Sequence, residues 1–123
     1  MSNRAVITTR SAPDAIGPYS QGIKVGNTVW ISGQIALDPE TMELIPGDIT
    51  SEARRVFQNL GAIAKAAGGN LKDAVKINIS LTDMSDFALV NKVMAETLSE
   101  PYPARACVQV SALPRGARIE IEA

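Results

Sequence analysis

The chain of 123 residues is the size of one ordinary domain and is too short for two cores of typical size. Its composition, 46% hydrophobic and 20% charged, is that of a globular protein and excludes disordered, collagen-like and fibrous classes. Twelve basic and thirteen acidic residues give a formal net charge of −1, so no overall field attracts nucleic acid or an anionic membrane surface. We expect a single domain over residues 1–123 that binds neither.

The cysteine and histidine contents limit the available chemistry. Cys107 is the single cysteine, which excludes an intramolecular disulfide and fits a reducing cytoplasm. No secretion signal is visible at the N-terminus, and no stretch approaches the roughly 18 apolar residues of a membrane-spanning helix. We expect a soluble, cytoplasmic protein. The sequence contains no histidine, which excludes Ser-His-Asp and Cys-His catalysis and the usual zinc sites. Proton transfer near neutral pH is left to carboxylates, Lys, Tyr, the thiol, the terminal amine or water.

Hydrophobic periodicity predicts eight elements in the order β-β-β-α-β-α-β-β. They are strands at 6–8, 21–25 and 28–32, a helix from 50 to 67, a strand at 75–81, a helix with its apolar stripe between 87 and 98, and strands at 105–110 and 118–122. Single strands between helices, with hairpins at either end, predict the α+β class. We expect one mixed sheet with both helices packed on one face.

Turn and cap residues set the boundaries of these elements. Gly26-Asn27 is a two-residue turn signal that predicts a hairpin. The strand that follows it is almost continuously apolar or β-branched, which is typical of a strand covered on both faces. Asp48 or Thr50 is suited to cap the first helix, and Gly68-Gly69 supplies its left-handed end.

Strict alternation marks the last three strands. In the strand at 75–81 we expect the odd-numbered residues inward: Val75, Ile77, Ile79 and Leu81. In the final two strands, Ala106, Val108 and Val110 are expected to face the helices together with Ile119 and Ile121. If these two strands pair as an antiparallel hairpin, Arg105, Cys107 and Glu120 share the opposite face.

Two interpretations of that polar face remain open. It is either a solvated sheet surface whose charge pairs contribute a few tenths of a kcal/mol each, or part of a subunit cleft. Helices on one side only leave the other side of a sheet uncovered, and Trp30 with Val25 or Ile23 would lie there. An apolar face of this kind is expected to pack on a partner subunit.

Six segments resemble one known family in order and spacing. They are Gly17–Gln21, Ser32–Ile35, Asn59-Leu60, Leu81–Met84 with Phe87 and Asn91, Pro103–Val110, and Leu113-Pro114 with Ile119–Ala123. Together they resemble the RidA/YjgF family of reactive-intermediate (enamine/imine) deaminases, over essentially the whole chain.

The resemblance implies an assembly and an activity. The assembly is a homotrimer with a barrel-like, chorismate-mutase-like core and ligand clefts between neighbouring subunits. The activity is hydrolysis of 2-aminoacrylate and its tautomer 2-iminopropanoate, or of 2-iminobutanoate, to a 2-keto acid and ammonia, without a cofactor or metal. The expected partners are therefore small 2-imino and 2-keto acids and two further copies of the chain.

The resemblance also implies a set of site residues. Catalytic positions are Arg105, Glu120 and Tyr19, and substrate-binding positions are Arg105, Ser32, Gly33, Asn91 and Cys107. Arg105 offers a planar fork for bidentate carboxylate binding, Glu120 is the carboxylate available to hold a water and accept its proton, and Tyr19 matches a position that hydrogen-bonds the imine nitrogen or the water. We expect Cys107 to be a wall residue, since no base is present to activate it and imine hydrolysis needs no covalent step.

Several alternatives stay open at this point. Without the resemblance, Tyr19 is interpreted as an aromatic residue that fills a gap and exposes its hydroxyl, and Gly33 as part of a turn that ends a strand. Asn91 is then a polar residue beside the apolar stripe of the second helix. The function is either imine deamination or keto-acid binding by a regulatory trimer without turnover. Some relatives are described as translation inhibitors or ribonucleases, which the near-neutral charge disfavours. The family commonly has a Tyr near Met94 and an aromatic residue near Leu98, so the packing of that edge of the cleft stays open. The sequence stops at Ala123, a few residues before many relatives, and a shorter final strand is the expectation there.

Overall fold

The computed structural model describes residues 3–123; Met1 and Ser2, part of the segment searched for a secretion signal, lie outside the described residues. The elements are β1 (Arg4–Ile7), β2 (Gly22–Val25), β3 (Thr28–Ile31), α1 (Ile49–Ala66), β4 (Lys76–Leu81), α2 (Phe87–Thr97), β5 (Ala104–Gln109) and β6 (Ile119–Glu122). The predicted order of strands and helices is confirmed. Within the described residues, no helix is both long and apolar enough to cross a membrane.

Local sequence signals place the hairpin and the first helix. Gly26 adopts a φ of +58° between β2 and β3, which are antiparallel neighbours. The Asp48 side chain accepts a hydrogen bond of 2.9 Å from the Ser51 N–H at the start of α1. After the helix, Gly68 has a φ of +92°, the left-handed conformation that ends it. These three predictions are confirmed.

The strands form two three-stranded sheets, in the orders β1-β2-β3 and β5-β4-β6, so the expectation of one sheet is wrong. The sheets are joined where Gln34 and Ile121 exchange backbone hydrogen bonds of 2.8 and 3.1 Å. Between Ile31 and that bridge, Ser32 and Gly33 leave the strand ladder. This two-residue interruption prevents one continuous sheet and brings the Gly33 backbone beside β6.

The final two strands do not form a hairpin. Strand β4 lies between them, parallel to β5 and antiparallel to β6. The register pairs Arg105 with Ile77 and Cys107 with Ile79, whereas Glu120 pairs with Ser80. Paired residues share a face, so Arg105 and Cys107 lie on the face of the buried isoleucines and Glu120 lies on the other.

The prediction that Arg105, Cys107 and Glu120 share a face, with Ala106 and Val108 toward the helices, is therefore wrong. Val108 is 52% exposed on the open face. The physical reason is that Ile119 and Ile121 are fully buried in the core. They are buried because β6 pairs with β4 on the side away from β5. The segment from 110 to 118 is long enough to cross from β5 past β4.

Both helices pack on one side of the sheets, as expected. The side chains that fill the core between them and the strands include Val56, Phe57, Leu60, Ile63, Ile77, Ile79, Leu81, Val90, Val93, Ile119 and Ile121. Val75 is exposed instead of inward, because β4 begins one residue later at Lys76.

The side of the sheets away from the helices carries an apolar row. Val6, Ile23 and Trp30 are successive partners across the first sheet, and Trp30 is 66% exposed. The expectation that residues 28–32 are covered on both faces is thus not met within one chain. The uncovered apolar face expected at Trp30 and Ile23 is present.

Candidate functional site

The predicted site residues fall into two groups on opposite faces of the β5-β4-β6 sheet. The Glu120 cleft is the hollow bordered by Tyr19, Gly33 and Glu120. The Arg105 cluster consists of Arg105, Cys107 and Asn91, on β5 and α2. Strand β4 separates β5 from β6, which places the two outer strands roughly 10 Å apart. A small ligand cannot touch Arg105 and Glu120 of the same chain.

The Glu120 cleft has a volume of about 320 Å³. Its floor is Glu120 on β6, and Tyr19 and Gly33 come from the loops that flank the first hairpin. The remaining wall is largely apolar and includes Pro13, Ile16, Ile35, Leu37, Met42 and Pro114. A mostly apolar hollow with a few polar groups is the usual form of a small-molecule site.

Gly33 and Glu120 are in close contact. A Cβ atom placed on Gly33 would lie 2.9 Å from the Glu120 Cδ atom and 3.2 Å from its Oε1 atom. The Gln34–Ile121 bridge on the next residue of each segment holds the two backbones together. Only a residue without a side chain fits here while the Glu120 carboxylate keeps its position.

Burial raises the pKa of the Glu120 carboxyl above its usual range, and the neighbouring charge of Glu122 raises it further. A carboxylate with a raised pKa is a stronger base once ionised and accepts a proton from water more readily near neutral pH. Glu120 is therefore suited to general acid–base chemistry.

The Tyr19 hydroxyl accepts a 3.2 Å hydrogen bond from the Ile16 N–H. Because this bond uses an oxygen lone pair, the phenolic proton remains available to a ligand. The ring is half exposed, so Tyr19 is not a buried plug. Ser32, by contrast, donates its hydroxyl hydrogen to the Ser20 carbonyl and fixes the loop instead of lining the cleft.

Two buried amides that the sequence analysis did not assign hold the walls of the cleft. The Gln21 side chain donates to the carbonyls of Ala12 and Pro13 at 3.2 and 2.7 Å, and fixes the loop that leads to Tyr19. The fully buried Asn59 on α1 donates to the Ile35 and Leu37 carbonyls at 3.3 and 3.0 Å. The sequence alone could have pointed to Asn59, because it falls among the apolar positions of α1 and a buried amide there needs a hydrogen-bond partner.

The Arg105 cluster is organised by α2. The Arg105 guanidinium donates to the Asn91 side-chain oxygen, lies 3.8 Å from the Met94 sulfur and sits 5.1 Å from the centroid of the Phe87 ring. These contacts orient a guanidinium that is otherwise exposed, with further N–H donors left for a carboxylate.

Burial raises the pKa of the Cys107 thiol, and the nearby Arg105 charge lowers it by less. The thiol is therefore predominantly protonated at neutral pH, which disfavours a nucleophilic role and supports its interpretation as a wall residue. Across residues 3–123, His, Cys, Asp and Glu side chains form no cluster of three or more that could hold a metal ion.

We predict that Gly33→Ala lowers the rate of the imine hydrolysis that the sequence resemblance implies by about 10- to 100-fold. The added methyl group would push the Glu120 carboxylate out of position. Steady-state rates and the far-UV spectrum measure activity and fold. Gly61→Ala is the matched control, since a Cβ at that position on α1 meets nothing within 4 Å. Equal activity of the two variants would show that the position of Glu120 does not matter.

Comparison with known proteins identifies the family. The family model described as Endoribonuclease L-PSP matches residues 9–123. A mouse protein named 2-iminobutanoate/2-iminopropanoate deaminase is 50% identical over 98% of this chain and 89% of its own length. The human protein of the same name is 48% identical over 98% of this chain and 88% of its own. The chain belongs to the RidA/YjgF family.

Solved structures in the RidA/YjgF family share the fold. RidA from an Antarctic Psychrobacter is 60% identical, with a TM-score of 0.93 over 96% of this chain and 95% of that one. The structure of E. coli TdcF with bound serine is 42% identical, with a TM-score of 0.88 over 96% of this chain and 94% of that one. The two-layer arrangement of helices on strands is therefore the RidA fold.

Met94 lies on α2 and Leu98 follows the end of that helix. The Met94 sulfur contacts the Arg105 guanidinium, and Leu98 is buried at the end of α2. Met94 is flexible and polarisable, and fills this space without an aromatic ring.

Proposed function

We propose that this protein hydrolyses 2-iminopropanoate and 2-iminobutanoate, together with their enamine tautomers, to the 2-keto acids and ammonia, without a cofactor. The observation that carries the proposal is the pair of complementary half-sites. One offers a guanidinium oriented for a carboxylate. The other offers a half-buried carboxylate with a raised pKa, in a cleft that the Tyr19 phenol also lines.

The two half-sites complete one another between subunits. Arg105 and Glu120 of one chain lie on opposite faces of the sheet, so the Arg105 cluster of a neighbour must close the Glu120 cleft. The exposed row around Trp30 supplies an apolar face for such contact. Together with the family resemblance, this supports a homotrimer with a barrel-like core and three interfacial sites.

The reaction follows from these groups. Arg105 binds the substrate carboxylate, and Glu120 holds a water against the imine carbon. Starting from the protonated imine, the water oxygen bonds to that carbon, the C=N π electrons move to the nitrogen, and Glu120 takes a proton from the water. Glu120 then returns this proton to the nitrogen of the carbinolamine, the C–N bond breaks to release ammonia, and the hydroxyl proton passes back to Glu120 as the ketone forms. Tyr19 is placed to hydrogen-bond the nitrogen or the water. Because such imines hydrolyse unaided, positioning supplies much of the acceleration.

The alternatives are less well supported. A regulatory keto-acid binder needs Arg105 but has no use for a desolvated carboxylate, and the raised pKa of Glu120 favours an enzyme. For a ribonuclease, the net charge of −1 provides no overall field that would attract a phosphate backbone. The free thiol of Cys107 is in keeping with a cytoplasmic location.

Mixing two inactive variants tests whether the site is shared. Glu120→Gln and Arg105→Lys chains, unfolded together in equal amounts and refolded, should form trimers in which about one site in four has both native residues, given random cyclic assembly. We expect activity near that fraction of the native rate, whereas each variant refolded alone stays inactive. No recovery in verified mixed trimers would show that the active site is not formed between subunits.

A further inference from the structure

Two residues of the Glu120 cleft have an unusual backbone. In the described part of the chain, Met42 and Arg115 are the non-glycine residues with positive φ, at 60° and 59°. Both line the cleft, and the Arg115 guanidinium donates a hydrogen bond to the Met42 carbonyl. A left-handed conformation is unfavourable for a residue that carries a side chain, so a pair of such residues at one cleft points to a constraint on that wall.

The turn around Arg115 is held from both sides. The Gly116 N–H bonds to the Leu113 carbonyl at 3.3 Å and the Ala117 N–H to the Pro114 carbonyl at 3.1 Å. Ala117 is buried, which anchors the end of the turn. The hydrogen bond to Met42 then ties the Arg115 side chain across the cleft wall, so its position is defined although the residue is exposed.

Arg115 is the cation among the residues that line the cleft, beside the carboxylates of Asp14 and Glu120. A guanidinium carries five N–H donors, and one of its nitrogens is engaged by Met42, which leaves donors for a ligand. The repulsion that Asp14 would exert on an anionic ligand is weakened by solvent, since Asp14 is exposed.

The cleft is also larger than the smallest substrate. At about 320 Å³ it falls in the range of ordinary ligand pockets, whereas 2-iminopropanoate has only about six non-hydrogen atoms. Because Glu120 and Arg115 both line this cleft, we expect it to admit the side chain of a longer 2-imino acid.

We propose that Arg115 is a specificity residue that binds a side-chain carboxylate of the substrate, so that the protein also hydrolyses 2-imino acids derived from acidic amino acids. This inference rests on the proposed deaminase function. The neighbour's Arg105 binds the carboxylate next to the imine and Arg115 the distal one. The reaction is unchanged: water adds to the imine carbon, and ammonia leaves.

The test compares two imines made in situ. L-glutamate oxidase supplies 2-iminoglutarate, and L-amino-acid oxidase supplies the imine of leucine, whose side chain is uncharged. Semicarbazide trapping reports the imine that escapes hydrolysis. We expect Arg115→Gln to lower kcat/KM for 2-iminoglutarate by about 10- to 100-fold, the usual effect of losing a charged hydrogen-bonded partner. The change for the leucine imine should be within about twofold, because no carboxylate reaches Arg115 there.

Controls separate the possible failures. Arg54→Gln removes an arginine whose exposed ion pair with Glu96 lies on α1 and α2 and should alter neither rate. Arg115→Lys keeps the positive charge and should retain part of the activity toward 2-iminoglutarate relative to the leucine imine. If the native protein hydrolyses the leucine imine and Arg115→Gln affects both imines equally, the specificity role is wrong and the deaminase function stands. If the native protein accelerates neither imine nor 2-iminopropanoate, the proposed function itself fails.

Discussion

Replacing Glu120 by Gln is expected to lower turnover of 2-iminopropanoate by roughly 10²–10⁴-fold, the usual contribution of a positioned acid or base. The amide keeps the shape of the side chain and can still form hydrogen bonds, but it cannot take a proton from water. Binding of a 2-keto acid should be retained or slightly improved, because a negative charge near the ligand is removed. A coupled dehydratase assay measures the rate, and calorimetry measures the binding.

The same variant tests the pH dependence. Since burial and Glu122 raise the pKa of Glu120, the native rate should fall as the pH drops through a pKa above the ordinary glutamate value of about 4.3. In Glu120→Gln this fall in rate at low pH, the acid limb of the pH–rate profile, should be absent. The raised pKa also means that the folded state favours the protonated form of Glu120. The stability that this protonated carboxyl contributes is present at low pH and is lost as the pH rises through the raised pKa. At neutral pH, Glu120→Gln should therefore be at least as stable as the native protein.

Glu122→Gln is the matched control for this prediction. Glu122 lies two residues along the same strand, where its carboxylate accepts a 3.1 Å hydrogen bond from Asn78. Its removal should preserve turnover and shift the acid limb to lower pH, because one of the two causes of the raised pKa disappears. Native turnover in Glu120→Gln would show that water is activated by another group.

Arg105→Lys should lower kcat/KM for 2-iminopropanoate by at least about 100-fold while the assembly stays intact, since charged hydrogen bonds of a bidentate fork are lost. Lysine keeps the positive charge, but its ammonium cannot reproduce the planar contacts to Asn91 and to the Phe87 ring. Steady-state kinetics gives the loss, and sedimentation gives the oligomeric state. We expect the keto-acid affinity to fall together with the rate.

Arg54→Lys is the control, because Arg54 makes a single exposed ion pair with Glu96 away from either half-site. Two results would contradict the assignment of Arg105 as the anchor. One is near-native kinetics of Arg105→Lys. The other is a loss of rate accompanied by dissociation to monomers, which would make Arg105 an interface residue.

Much of the fold was predictable because local signals decide it. Gly26 and Gly68 require positive φ angles, and Asp48 caps a helix whose apolar residues recur at the α-helical period. The family resemblance likewise rests on short segments whose order along the chain is visible without a structure. The individual site residues were named in this way, including Arg105 and Glu120.

The order and type of the elements, the direction of the apolar faces in α1 and β4, and the residue types available for chemistry all follow from the amino-acid sequence. Which strands are neighbours is settled by packing in three dimensions. Alternation along β5 and β6 is equally compatible with a hairpin and with β4 between them, because a period of two specifies faces but not partners. The burial of Ile119 and Ile121 selects the second arrangement, and it puts Arg105 and Glu120 on opposite faces of one sheet.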